Sequence, residues 1–320
     1  MTLTRLALAA ACAASPAAAL ELEIPVRCEL GRYCYIQSYV DRDPGPGSTD
    51  FTCGALSYDG HKGTDFRLQT FADLTRNIAV LAAAPGHVRA VRDGEPDTGR
   101  DAFTPGRDCG NAVVIDHGEG WETQYCHLAR SSVEVQVGQI VEAGTRLGLI
   151  GYSGNTEFPH LHLSVRQDGI PIDPFDARSI AESCSLADTE ALWSAAALEE
   201  LTYQPGGIVD AGFAPGAVDL EVIRTGKTAD FKPDSPAFVF WARFYGLSAA
   251  DTVAIRLLRP SGEVLVESDT VMPRNRAEHM LFAGRKRPES GWPPGTYQAI
   301  AEIIRGNQRV HQVIREITLP

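Results

Sequence analysis

Residues 111–128 read NAVVIDHGEGWETQYCHL, and this stretch decides the fold. Asn111–His117 is apolar and β-branched, and His117-Gly118-Glu119-Gly120 supplies a turn. After it, Trp121, Thr123, Tyr125 and His127 fall on one face of a returning strand and Cys126 on the other, because side chains alternate along an extended chain. Cys109 and Cys126 lie at comparable distances from the turn, so they can meet across the ladder as a disulfide. Outward from this hairpin the same texture repeats: Ile78–Ala83, Gly86–Arg92, Leu147–Tyr152 and His160–Arg166 are short strand-like runs separated by glycine turns, with no helical period.

At 320 residues the chain is long enough for two domains. Residues 20–58 are rich in Cys, Pro and Gly and read as an irregular, disulfide-pinned entry segment. The strand-rich stretch occupies 59–172. Residues 173–207 change to an Ala-, Leu- and Glu-rich composition that predicts a short helical linker, closed by Gln204-Pro205-Gly206-Gly207. From 208 to 320 strands return at Phe238–Phe244, Thr252–Leu258, Val264–Glu267, Tyr297–Arg305 and Val310–Leu319, a pattern that suggests an immunoglobulin-like β-sandwich.

The formal net charge of −12 excludes nucleic acid as a partner, since like charges repel. Residues 1–19 read as an export signal: Arg5, the apolar run Leu6–Ala14, the breaker Pro16, and small residues at Ala17-Ala18-Ala19. That run is too short to span a bilayer, and no later segment is apolar for long enough. A periplasmic or cell-envelope location is expected. Cleavage would remove Cys12 and leave Cys28, Cys34, Cys53, Cys109, Cys126 and Cys184, an even set that argues for disulfides in an oxidising compartment. The expected pairs are Cys34–Cys53, Cys109–Cys126 and Cys28–Cys184.

Two histidine patterns carry chemistry. In His61-Lys62-Gly63-Thr64-Asp65, Gly63 argues for a tight turn or bulge that lets imidazole and carboxylate converge. In His160-Leu161-His162, both rings of a strand point to one face. A catalytic zinc keeps three protein ligands and an open position, which His61, Asp65 and one ring of the 160/162 pair would supply. The other ring would then stand beside the bound water. No H-E-x-x-H helix provides a glutamate base. His87 reads as a surface or packing residue and His117 as a structural one at the hairpin turn, while His279 and His311 have no partners at ligand spacing.

These motifs, with Gly110–Gly118, Tyr125-Cys126-His127-Leu128, Pro159-His160-Leu161-His162 and the turn-rich Val137–Gly148, resemble the lysostaphin-type zinc metallopeptidases across roughly residues 53–170. The resemblance implies a compact antiparallel β-sandwich with an open groove, one zinc per chain held by His61, Asp65 and His162, and His127 and His160 as catalytic histidines. It implies a peptidoglycan peptide as substrate and an endopeptidase as activity. Leu163-Ser164 departs from the family pattern, which often has an aromatic and an acidic residue there. The alternative is a non-catalytic activator or wall-binding regulator of other hydrolases, with the C-terminal sandwich offering a surface to a protein partner.

Overall fold

The computed structural model describes residues 20–187 and 189–320, so the leader expected at 1–19 lies outside the described residues. The protein is mainly β. Its first part is one large antiparallel sheet built from β1 (Cys34–Ser38), β2 (Thr64–Leu68), β4 (Gly86–Arg92), β5 (Asn111–Gly118), β6 (Trp121–Leu128), β7 (Ile140–Val141), β9 (His160–Gln167) and β10 (Ile170–Ile172). A separate pair, β3 (Ala79–Leu81) with β8 (Arg146–Leu149), completes it. The large sheet runs β1-β2-β9-β6-β5-β4-β7, with β10 added to β9. The hairpin at 111–128 forms β5 and β6, and β6 pairs on its other edge with β9. Phe66, Val113, Ile115, Tyr125, Leu161 and Leu163 turn one face of these strands into the core. The opposite face of β2, β6 and β9 carries the polar residues.

The C-terminal part has two further sheets around one shared core. A three-stranded sheet orders β11 (Gly207–Ala214), β12 (Ala237–Leu247) and β15 (Arg276–Lys286). A four-stranded sheet orders β14 (Val264–Val271), β13 (Thr252–Leu258), β16 (Gly295–Arg305) and β17 (Gln308–Leu319). Phe238, Phe240 and Phe244 from the first meet Ile255, Tyr297 and Ala301 from the second.

Three expectations are corrected. The entry segment is not wholly irregular: Cys34–Ser38 pairs with β2 and extends the sheet next to the polar row. The helical linker shrinks to α1 (Ala195–Glu200), capped by the Ser194 hydroxyl; a second helix, α2 (Leu220–Thr225), follows β11. Residues 174–187 stay irregular because short side chains capture nearby backbone N–H groups that a helix would use: Asp173 takes Phe175, Asp176 takes Arg178, Ser179 takes Ala181 and Ser185 takes Ala187. Third, the structure pairs Cys28 with Cys34 and Cys53 with Cys184 rather than Cys34 with Cys53 and Cys28 with Cys184. The turn at Gly31–Tyr33, in which the Gly31 N–H donates to the Cys34 carbonyl, folds Cys28 back onto Cys34. The irregular 174–187 segment then lies over the loop holding Cys53, where the Cys184 N–H donates to the Arg42 carbonyl. Cys109 pairs with Cys126, at a Cα–Cα distance of 4.8 Å.

Candidate metal centre

Register, which no single stretch of sequence reveals, builds the site. Asp65 on β2 is the cross-strand neighbour of His162 on β9, and His162 is the neighbour of Cys126 on β6. One row across three strands therefore aligns carboxylate and imidazole. His61 enters from the segment before β2, where the chain bends at Gly63. The H-K-G-T-D motif is thus half loop and half strand. Its glycine has a steric reason beyond the bend: a Cβ there would stand 2.6 Å from His162 Nε2 and from the Leu163 carbonyl oxygen. Only a residue without a side chain lets the ring of His162 lie against the loop.

His61, Asp65 and His162 bring three ligand atoms together. His61 Nε2 is 3.1 Å from Asp65 Oδ1 and 3.2 Å from His162 Nδ1, and His162 Nδ1 is 2.8 Å from Asp65 Oδ1. Three atoms bound tetrahedrally to one ion at about 2.1 Å would stand roughly 3.4 Å apart, so the set fits a single cation. The tautomers agree. A carbonyl can only accept, so His61 donates Nδ1–H to Tyr39, 2.6 Å away, and leaves Nε2 as a lone pair facing the cluster. His162 is turned the other way: Nε2 lies 3.0 Å from the Ser164 hydroxyl, and Nδ1 faces Asp65. Ser164, a departure from the family pattern, is therefore the partner that fixes this ring.

His160 and His127 stand beside the trio. His160 Nε2 is 3.4 Å from Asp65 Oδ1, while Nδ1–H donates to the Phe158 carbonyl at 2.9 Å. His127 Nδ1–H donates to the Ser153 carbonyl at 2.8 Å, and its ring centroid lies 4.6 Å from that of His160. Face alternation puts His127 with Thr123 and Tyr125, whose side chains are in the core. The structure overturns that placement. An extra β6 residue bulges between the pairs Asn111–Leu128 and Val113–Tyr125, and His127 takes φ +62°, so its ring swings to the groove side with Cys126. Asn111 supports this bulge from within, bonding Glu95 and the Leu128 carbonyl. Ser153 has no triad context in the sequence, and its part is support. Its hydroxyl ties Asn111 to Leu128 while its carbonyl aims His127, a role that leaves no motif.

Burial opposes ionisation of Asp65, yet without a metal the imidazoles of His61 and His160, when protonated, outweigh it and hold the carboxyl well below the usual carboxylate range. Burial, with His160 and His162 nearby, pushes His127 well below the ordinary imidazole value, so this ring is neutral at neutral pH. Asp65, His127, His160 and His162 line an open recess of about 810 Å³, rimmed by Tyr58, Lys62, Arg100 and Phe158. Tyr58 stacks on His61 at 4.3 Å. His117 is structural, its two nitrogens taken by the Pro85 carbonyl and the Thr123 hydroxyl.

A β scaffold that gathers two imidazoles and a carboxylate at the foot of an open groove defines a metal-site protein of the hydrolase type. Residues 59–174 match the model of peptidase family M23. This part of the chain is a peptidase family M23 domain, the lysostaphin-type class. Among curated relatives, an uncharacterized metalloprotease of Haemophilus influenzae is 30% identical over 130 residues, 41% of this chain and 23% of that protein. Peptidoglycan DD-endopeptidase ShyA of Vibrio cholerae is 43% identical over 68 residues, 21% of this chain and 15% of that protein. The chain thus spans under a quarter of the length of these relatives. The catalytic domain of the M23 protein EnpA from Enterococcus faecalis shares 23% identity at a TM-score of 0.32, over 44% of this chain and 88% of that one.

Proposed function

We propose that this protein is a zinc-dependent endopeptidase that hydrolyses peptide bonds in peptidoglycan stem peptides or cross-links. The convergence of His61, Asp65 and His162 carries the reading, and the M23 match together with the peptidoglycan endopeptidases among the relatives supports it. In this reading residues 59–172 are the peptidase domain and 208–320 a β-sandwich domain, exported to the periplasm or cell envelope.

Zinc suits two neutral imidazoles and one carboxylate, and when bound it supplies an acidified water and a Lewis-acid contact to the scissile carbonyl. The protein's own groups do the rest. The Tyr39 carbonyl holds His61 in the required tautomer, and the Ser164 hydroxyl orients the His162 ring. His160, tied through Nδ1 to Phe158, points Nε2 at the ligand carboxylate and so at the attacking side of the site. His127, neutral and aimed by Ser153 through Nδ1–H, presents Nε2 as a base that can take a proton and, once protonated, donate that Nε2–H toward the developing oxyanion. The open groove admits an extended peptide.

The test is digestion of purified peptidoglycan by wild type and His162→Ala, with product masses read out. New cleavage products from wild type, absent from the variant, are expected. The same products from both would sink the mechanism. All five side chains being in place speaks for catalysis over the activator reading, and metal analysis of the purified protein separates the two: about one zinc per chain accompanies the enzyme.

A further inference from the structure

Next to the catalytic recess lies a smaller one of about 360 Å³, and its outer wall belongs to the C-terminal sandwich. The two share Gln37, Glu157, Phe158 and Ala277, so they form one continuous groove. Phe158 is the partition. Its ring is 4.7 Å from the ring of His160, and the guanidinium of Arg67 lies 4.1 Å from its centroid on the side of the second recess. The second recess thus adjoins the catalytic one across a single aromatic ring.

Its charge is unlike the rest of this acidic chain. Four arginines, Arg67, Arg224, Arg274 and Arg276, meet two acids, Glu157 and Glu278. Both acids are already engaged: Glu157 pairs with Arg100, and Glu278 with Arg67, Arg224 and Arg243. That triple pairing anchors the start of β15. Arg276 and Arg274 precede Glu278 by two and four residues. Both are exposed, and among the described residues neither has an ion pair. The result is two exposed arginines lining the groove with no anion paired to them among the described residues.

We infer that Arg274 and Arg276 form a substrate subsite that binds a carboxylate of the peptide, so that the C-terminal sandwich selects acidic substrate for the metal centre. The inference rests on the peptidase reading for the identity of the substrate. A free carboxylate on the peptide would accept paired, charge-assisted N–H bonds from these guanidiniums, while an amidated one, neutral and with a single acceptor oxygen, would lose the pairing and the charge. This gives the C-terminal sandwich a role in specificity rather than in holding a protein partner.

The experiment uses the full-length zinc-loaded protein, wild type and the pair Arg274→Gln/Arg276→Gln. The probes are cross-linked muropeptides with free carboxylates and the same material after chemical amidation. Calorimetric binding at low salt is expected to weaken about tenfold in the variant for the free-carboxylate probe, a charge-assisted pair's worth, with no change for the amidated probe. In hydrolysis, KM rises by a similar factor while kcat holds. The pair Arg274→Lys/Arg276→Lys recovers most of the binding. Equal affinity of variant and wild type for the free-carboxylate probe overturns the inference, as does an equal loss for both probes. If neither protein cleaves the probe, the peptidase reading fails by itself, and the charge-selective difference in binding still decides the subsite.

Discussion

Asp65 and Glu278 are both buried carboxylates, and the molecule neutralises them in opposite ways. Glu278, on the C-terminal sandwich, meets Arg67 at 3.3 Å, Arg243 at 3.0 Å and Arg224. Burial opposes its ionisation, and the three guanidiniums outweigh burial and hold its pKa down. Asp65, on the large sheet, meets only imidazoles: His61, His160 and His162. A guanidinium is a permanent cation, whereas an imidazole is one only when protonated. The Glu278 site is complete as folded. The Asp65 site has lone pairs on His61 and His162 crowded around an anion, and a divalent ion satisfies all three at once. A structural carboxylate and a functional one are told apart by what kind of positive charge the protein brings to it.

Breaking the comparison at the metal centre gives the largest effect. Asp65→Asn keeps the shape and removes the ligand charge, and hydrolysis should fall about ten-thousandfold, roughly 5.5 kcal/mol at the transition state. Melting of the metal-free protein should change little. Activity within tenfold of wild type would remove Asp65 from the ligand set. At the other carboxylate the order reverses. Arg243 is fully buried, bonds Glu278 and donates to the Gln69 carbonyl, so it also joins the sandwich to the large sheet. Arg243→Met removes one of three guanidiniums around Glu278 together with the bond to Gln69, and should cost about 1.5–3 kcal/mol of stability. Urea unfolding measures this, and zinc content per folded molecule should be unchanged.

Gly63→Ala sharpens the comparison by moving the His162 ring without touching a ligand. The added methyl meets His162 and the Leu163 carbonyl at 2.6 Å. Overpacking of this kind costs about 1–3 kcal/mol, and the displaced ring should lower zinc affinity about ten- to hundredfold. A competitive chelator titration reads the affinity. A variant that binds zinc as wild type does would show that the loop yields instead of the ring.

The sequence made some of this legible and hid the rest for identifiable reasons. The strands at Gly86–Arg92, Trp121–Leu128 and Thr252–Leu258 lie where turn glycines and β-branched runs place them. Arg276–Lys286 carries no strand signal in the sequence because its charged residues and Gly284 break any apolar alternation, although β12 pairs with it along its length. Cys34–Ser38 was missed because five residues amid cysteine and glycine carry too little pattern. The residues proposed as ligands stand out in the sequence because H-x-G-x-D and H-x-H impose local geometry. The pairing of Asp65 with His162 could not, since register across β2 and β9 is a tertiary property. His127 landed in the groove only because a bulge reversed its face, and a period-two reading has no way to foresee a bulge.

A third buried carboxylate completes the series and gives the smallest effect. Asp173 follows β10 and is fully buried, yet it gains neither a zinc site nor a full set of guanidiniums. Burial and the neighbouring Asp176 push its pKa up to about 8, against weaker pulls from the Phe175 N–H and Arg42. The nearby guanidinium of Arg42 is committed elsewhere, to Asp176 and to the Arg178 and Ser179 carbonyls. Here the protein uses a proton as the neutralising charge. The folded state therefore holds a proton that the unfolded chain releases near the ordinary carboxylate value of about 4. Its contribution to stability is full below that pH and is lost as pH rises through about 8, because the folded state binds more protons across this window. Melting temperature should decline from pH 5 to pH 8. Asp173→Asn, neutral at every pH and still able to accept from Phe175, should flatten the decline without changing zinc binding. A variant with the same slope as wild type would place the titrating group elsewhere and leave Asp173 ionised, which would require Arg42 to serve two acids at once.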